Sequence, residues 1–226
     1  MATKLGVLLI GQTPNKPYET FFRSCLPEEI DIEMVGALDG LGFEEVLSLK
    51  PKAGEEVLFT RVGENIPVNL SAHQVHSRMQ NKLEELDSRG VSAIAVVCTG
   101  DFSFLHSETP LLFPGILLSN NVYSIASKQM PIGVMLPLVE QIGTNLSKKW
   151  YREGITASFA AASPQSHPGV IAKAATSLKE QGARLIVLDC MAYTSKEKDV
   201  IRSATGCMVI AARTLLGNIL RELFQD

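Results

Sequence analysis

Two cysteines carry the chemistry this sequence suggests. Cys98 ends the apolar run Ala93–Val97 in "AIAVVCTGDF", and Cys190 ends Leu185–Leu188 in "LIVLDCMAYT". A glycine stands eight residues before each, Gly90 and Gly182. Seventeen residues after each a further apolar run begins, at Gly115 and at Cys207, so the segments align without a gap at an offset of 92. A lone buried cysteine is most often a small hydrophobe. Two at matching places raise the question of what a pair could do.

Thiols on opposite sides of one carbon can take a proton from one face and deliver one to the other. A thiol ionises near pH ~8.5, and lower beside a helix N-terminus, so a thiolate base is within reach. Such chemistry removes a proton α to a carboxylate, and it needs donors for the carboxylate and for the enediolate that develops. Thr99 and Gly100 follow the first cysteine, and Tyr193 and Thr194 follow the second. The loop "GQTP" supplies Gln12 and Thr13 after the first strand, and Ser163 in "AASPQS" ends another strand-like run. With each sulfur about 3–3.5 Å from the reacting carbon, the two sulfurs would stand roughly 6–8 Å apart.

Short apolar runs alternate with helical patterns and must position these residues. Strands are expected at Leu5–Ile10, Ile32–Ala37, Ala93–Val97, Gly115–Leu118, Ile132–Leu136, Thr156–Ala160, Leu185–Leu188 and Met208–Ala211. Between them, Ser71–Arg89 places Val75, Met79, Leu83 and Leu86 on one helical face, with Ser71 suited to the N-cap and Gly90 to the stop. His167–Gln181 repeats the pattern with Val170, Ile171, Ala174 and Leu178, and Ala212–Phe224 forms the last helix. Strands alternating with helices predict parallel α/β sheets, whose ligands sit outside the strands' C-terminal ends.

The openings of the two halves also match, "KLGVLLIGQTP" against "MPIGVMLPLVE", with Gly6 against Gly133 at an offset of 127. The first copy is thus 35 residues longer, enough to hold Gly54–Ser71, which alternates like a hairpin with Gly63-Glu64-Asn65 at its tip. That segment reads as a surface excursion, or as a flap or dimer arm. The expected architecture is two pseudo-symmetric Rossmann-like lobes, 1–118 and 119–226, with the ligand cleft between them and the C-terminal helix, 212–224, available to pack across.

Composition narrows the classes. The chain of 226 residues is 46% apolar and 20% charged, with a formal net charge of −3. It carries no run of Lys or Arg, which argues against nucleic-acid and membrane partners, and no apolar stretch approaches the ~20 residues of a membrane span. The opening "MATKLGVLLIGQTP" is too short in its apolar part for a signal peptide. Four cysteines without a CxxC pair make neither a disulfide framework nor a zinc site, so a cytoplasmic protein with reduced thiols is expected. Cys25 and Cys207 are expected to be structural. His73 and His76 have ligand spacing but no evident third ligand, and no metal is expected. "GLGFEE" at Gly40 lacks the strand–GxGxxG–helix context, so no nucleotide or flavin cofactor is expected. Asp189 could orient a proton donor or pair with a cation, and an anion there would oppose ionisation of Cys190.

A two-lobed chain with a cysteine ending a strand in each half resembles the aspartate/glutamate racemase superfamily. More narrowly, "LLIGQTP", "VVCTGDF", "MLPLVEQ", "KKW", "AASPQS" and "VLDCMAYT" together resemble the AroM family, from Leu8 to the final helix. The resemblance implies a racemase-like fold with a site between the lobes and, from the wider superfamily, Cys98 and Cys190 as acid and base. It supplies no established reaction. Met191 stands where racemases have a threonine, and no asparagine follows Cys98. Superfamily relatives also isomerise maleate or decarboxylate malonates. The reading is therefore a cofactor-independent racemase or isomerase of a small carboxylate. The alternatives are a single-cysteine lyase or decarboxylase, and a non-catalytic metabolite-binding regulator. Two apolar-faced helices could support a homodimer.

Overall fold

Leu5 to Leu9 is apolar without alternation, as a strand covered on both faces requires, and every one of these residues is buried in β1 (Lys4–Leu9). The computed structural model describes residues 3–63, 66–164 and 166–225. The chain divides into two compact units, Met1–Phe113 with Gly217–Asp226, and Pro114–Leu216.

In the first unit β1 pairs in parallel with β2 (Asp31–Gly36) and β5 (Ala93–Val97), and β5 with β6 (Leu111–Leu112), in the order β2-β1-β5-β6. The second unit holds β7 (Ile132–Leu136), β8 (Ala157–Ala161), β9 (Leu185–Leu188) and β10 (Met208–Ala211), all parallel, in the order β10-β9-β7-β8. Read from the opposite edge this is the same order. The register repeats as well. Leu5 pairs with Ala93, and Ile132 with Leu185, which are equivalent pairs under the offsets of 127 and 92. Gly6 and Gly133 are the matching close approaches. A Cβ would lie 3.1 Å from Val91 at the first, and 2.9 Å from Ala183 at the second.

Helices cover the sheets with the faces their spacing predicts. α3 (Ala72–Ser88) buries Val75, Met79, Leu83 and Leu86. Its start at Ser71 is as expected, although the serine side chain makes no cap bond. α6 (Pro168–Glu180) buries Ile171, Ala175 and Leu178. Val170 differs from the expected stripe: it lies on the first turn at 51% exposure, because the inward face runs through 171, 175 and 178. Gly90 and Gly182 follow the two helices at φ of 67° and 95°, the left-handed turn that glycine adopts at little cost.

One expected strand is a helix. Gly115–Leu118 lies in α4 (Pro114–Tyr123), and the strand equivalent to β10 is β6, a few residues earlier. A four-residue apolar run has no period that separates strand from helix, and Pro114 at the entrance suits a first helical turn. The gapless match therefore ends before Gly115. The first unit likewise closes at Phe113 rather than at 118.

The alternating segment forms the hairpin of β3 (Val57–Val62) and β4 (Ile66–Ser71), antiparallel from Val57–Ser71 to Val62–Ile66. Of the expected tip, Glu64 and Asn65 lie outside the described residues. Leu58, Val62, Val68 and Leu70 join the core of the first unit, so this face of the hairpin is packed rather than raised as a flap. The hairpin also lies on the sheet's C-terminal edge, since a Cβ on Gly11 would meet Thr60 Oγ1 at 2.8 Å. The last helix, α8 (Ala212–Phe224), has the expected limits. From Gly217 it belongs to the first unit, where Arg221 donates to the Ser24 carbonyl at 3.2 Å. No described helix is long and apolar enough to cross a membrane.

Candidate active site

Each sheet delivers a cysteine at its C-terminal edge. After β5 the chain turns at once, and the Gly100 backbone N–H donates to Cys98 Sγ at 3.4 Å. After β9 the Ala192 N–H donates to Cys190 Sγ at 3.5 Å. The same i+2 turn thus wraps both sulfurs. An amide donor of this kind bonds a thiolate more strongly than a thiol. Both cysteines are half-buried thiols.

The turn after Cys98 is braced from α3. His76 stacks on Phe104 with centroids 3.9 Å apart, and Gln80 exchanges two bonds with the His106 backbone at 2.9 and 3.1 Å. Burial, with a smaller contribution from His73, holds the His76 pKa below its ordinary value against the opposing pull of Asp101. Thr99 is buried. Asp101 is exposed and accepts the Ser103 N–H at 3.0 Å, which closes the turn.

On the neighbouring strand, Gln12 and Thr13 follow β1. The Gln12 amide donates to the carbonyls of Leu38 and Leu41 at 3.2 and 2.8 Å. Asp39 accepts from the Thr13 N–H at 2.6 Å, the Thr13 hydroxyl at 2.8 Å and the Gly36 N–H at 2.7 Å. Arg78 of α3 completes the tie, donating to the carbonyls of Ala37 and Asp39 at 2.6 and 3.1 Å. Sequence reasoning did not single out Asp39 or Arg78. The only signal was a polar residue just beyond a buried strand end.

In the second unit, Ser163 follows β8 and bonds the Pro164 carbonyl at 3.2 Å. Tyr193 is wholly buried, and its hydroxyl donates to the Ala162 carbonyl at 2.5 Å. Burial first, then the proximity of Cys190, Asp189 and Glu197, pushes its pKa well above the ordinary value. Thr194 is the N-cap of α7 (Ser195–Thr205). Its oxygen accepts from Lys196 N–H at 3.2 Å, and its N–H and hydroxyl bond Glu197 at 2.6 and 2.7 Å. Asp189 is buried, with the Trp150 indole at 2.7 Å and Lys149 Nζ at 3.0 Å, so the cation expected as one alternative is Lys149. Trp150 has no exposure and packs rather than facing solvent.

Cys98, Thr99, Gly100, Gln12 and Thr13 thus gather on one sheet edge, and Cys190, Ser163, Tyr193 and Thr194 on the other. Among the described residues no group of three His, Cys, Asp or Glu side chains is arranged to hold a metal ion.

Two parallel α/β units with repeated strand order define the fold of the aspartate/glutamate racemases. The chain belongs to the AroM protein family, whose model matches residues 5–224. Among solved structures, a glutamate racemase from Bacillus anthracis is similar with a TM-score of 0.66 at 15% identity, covering 99% of this chain and 82% of that one. Allantoin racemase from Klebsiella pneumoniae gives 0.57 at 17%, covering 98% and 87%. Arylmalonate decarboxylase gives 0.59 at 10%, covering 99% and 92%. Likeness at such identities carries the fold. No curated protein matches the sequence.

Proposed function

We propose that this protein is a cofactor-independent racemase or isomerase of a small carboxylate, with Cys98 and Cys190 as its acid–base pair. The observation that carries the reading is the identical turn around both sulfurs, Gly100 N–H to Cys98 and Ala192 N–H to Cys190. Packing alone gives no reason for two strand-end thiols to repeat an amide contact at equivalent positions.

In the forward direction one thiolate takes the proton from the substrate α-carbon. The electron pair left on carbon spreads into the carboxylate, and the opposite thiol returns a proton to the other face. Thr99, the Gly100 loop and Ser163 are the groups assigned to the carboxylate. Gln12, Thr13, Tyr193 and Thr194 shape the two edges.

One asymmetry favours a second reading. Cys98 is followed by Thr99, whereas Cys190 is followed by buried Met191, and the Thr194 hydroxyl is engaged by Glu197. A lyase that uses one thiol only to reprotonate its product needs carboxylate donors on one side alone. Single replacements separate the two: Cys98→Ser and Cys190→Ser both abolish pair chemistry, and one of them spares lyase chemistry.

A further inference from the structure

We infer that the Thr60 hydroxyl, laid over the C-terminal edge of the first sheet by the β3–β4 hairpin, binds a carboxylate oxygen of the substrate beside the donors that follow Cys98. This rests on the small-carboxylate reading, and it adds to that site a residue from the hairpin.

The hairpin turns one face to the core of the first unit, where Leu58, Val62, Val68 and Leu70 are buried. Side chains alternate along a strand, and residues paired across an antiparallel ladder share a face. Thr60 stands between Leu58 and Val62 and pairs with Val68, so it lies on that inner face, a polar residue in an apolar row. What it meets there is backbone. A Cβ on Gly11 would lie 2.8 Å from Thr60 Oγ1 and 2.9 Å from the Arg61 carbonyl oxygen. Gly11 is buried, and its lack of a side chain lets β3 come down onto the "GQTP" loop. Leu9 pairs with Val97, so Gly11 and Thr99 each lie two residues beyond one pair. Neighbouring strands run about 4.8 Å apart. The hairpin therefore brings the hydroxyl to the sheet edge that carries Cys98, Thr99 and Gly100.

This hydroxyl differs from its neighbour in the loop. The Thr13 hydroxyl donates to Asp39 at 2.8 Å. The Thr60 hydroxyl has no hydrogen-bond partner among the described residues, and its oxygen is not sealed from solvent. Packing gives no reason for it. Valine has nearly the same shape, favours strands as well, and suits an apolar row better. The donor is also fixed before any ligand arrives. The backbone of Thr60 is held in the β3–β4 ladder, and a β-branched side chain is stiff at χ1. An open, pre-positioned hydroxyl at this edge is equipped to donate to the oxygen of an anion.

Amide NMR of the isotope-labelled full chain, titrated with acetate, lactate and succinate, tests this. For at least one of these carboxylates the Gly11, Thr60, Thr99 and Gly100 amides should shift together with a single Kd. Thr60→Val should raise that Kd about tenfold, as loss of one hydrogen bond to a charged group does, while Tm holds or rises. Thr60→Ser, which keeps the hydroxyl, should bind close to the wild type. An unchanged Kd in Thr60→Val overturns the inference. So does a Thr60 amide that stays in place while Thr99 and Gly100 shift, or no shift of these amides with any of the three. Equal weakening in Thr60→Ser and Thr60→Val with a fall in Tm marks a structural role and overturns it too. The two readings fail separately. α-Proton exchange with an unchanged KM in Thr60→Val removes Thr60 and leaves the thiol pair standing. Binding as stated without exchange of any substrate removes the thiol pair and leaves Thr60 standing.

Discussion

The Tyr193 hydroxyl reaches past β7 to the Ala162 carbonyl at the end of β8, and so fastens the turn after β9 to a strand two places away in its sheet. The turn that carries Cys190 is thereby part of the core. Tyr193→Phe should cost about 1–2 kcal/mol, since the buried carbonyl loses its donor while the ring stays packed. The pH dependence has a definite sign. The folded protein keeps the phenol proton above pH ~10, where the unfolded chain releases it, so the unfolded state binds fewer protons and stability falls as pH rises past about 10. Urea unfolding at neutral pH and above pH ~10 should show that decline in the wild type and a weaker one in Tyr193→Phe.

Asp39 performs the matching task in the first unit, holding Thr13 and Gly36 through three bonds to one carboxylate. Asp39→Ala should cost about 2–3 kcal/mol, because hydrogen bonds to a charged group are the stronger class. Hydrogen exchange should speed up at the Thr13 and Gly36 amides, and hardly at all in β7 and β9.

Gly6 and Gly133 are equivalent in sequence and differ in what surrounds them. A Cβ on Gly133 would lie 2.9 Å from the Cβ atoms of both Leu178 and Ala183, which cannot swing away. On Gly6 it would meet side-chain branches, Ile94 Cγ1 at 2.9 Å and Val91 Cγ2 at 3.1 Å. Gly133→Ala should therefore destabilise by about 1–3 kcal/mol, and Gly6→Ala by less. Chemical denaturation of the two variants checks the order.

His76 is half-buried against Phe104, and its lowered pKa means that the folded state resists taking a proton that the unfolded chain accepts. Stability should therefore fall as pH drops below about 6.5. His76→Phe, which keeps the stack, should lessen the drop between about pH 7 and 5. An NMR titration of the His76 ring with a midpoint at or above about 6.5 would contradict this.

Much of this fold was legible because most of its strands are short, largely apolar and set at repeated intervals, and because α3 has an unbroken stripe. The paired cysteines were legible for the same reason: a repeat makes two residues stand out where one would not. Gly115–Leu118 was misread because four apolar residues carry no period. The ties that position the site were hidden by distance along the chain. Asp39 meets Thr13 across 26 residues, and Asp189 meets Trp150 across 39, and no local pattern announces either pairing. The hydroxyl of Thr194 read as a ligand donor, but a capping box with Glu197 engages it.

The central claim is proton transfer between two thiols, and proton NMR in D₂O tests it most directly. The protein would be incubated with a panel of chiral and unsaturated small carboxylates. The account predicts loss of an α-proton signal for at least one chiral member, abolished in both Cys98→Ser and Cys190→Ser. Exchange that survives either replacement, or saturable binding of a panel member with no exchange at all, would contradict it.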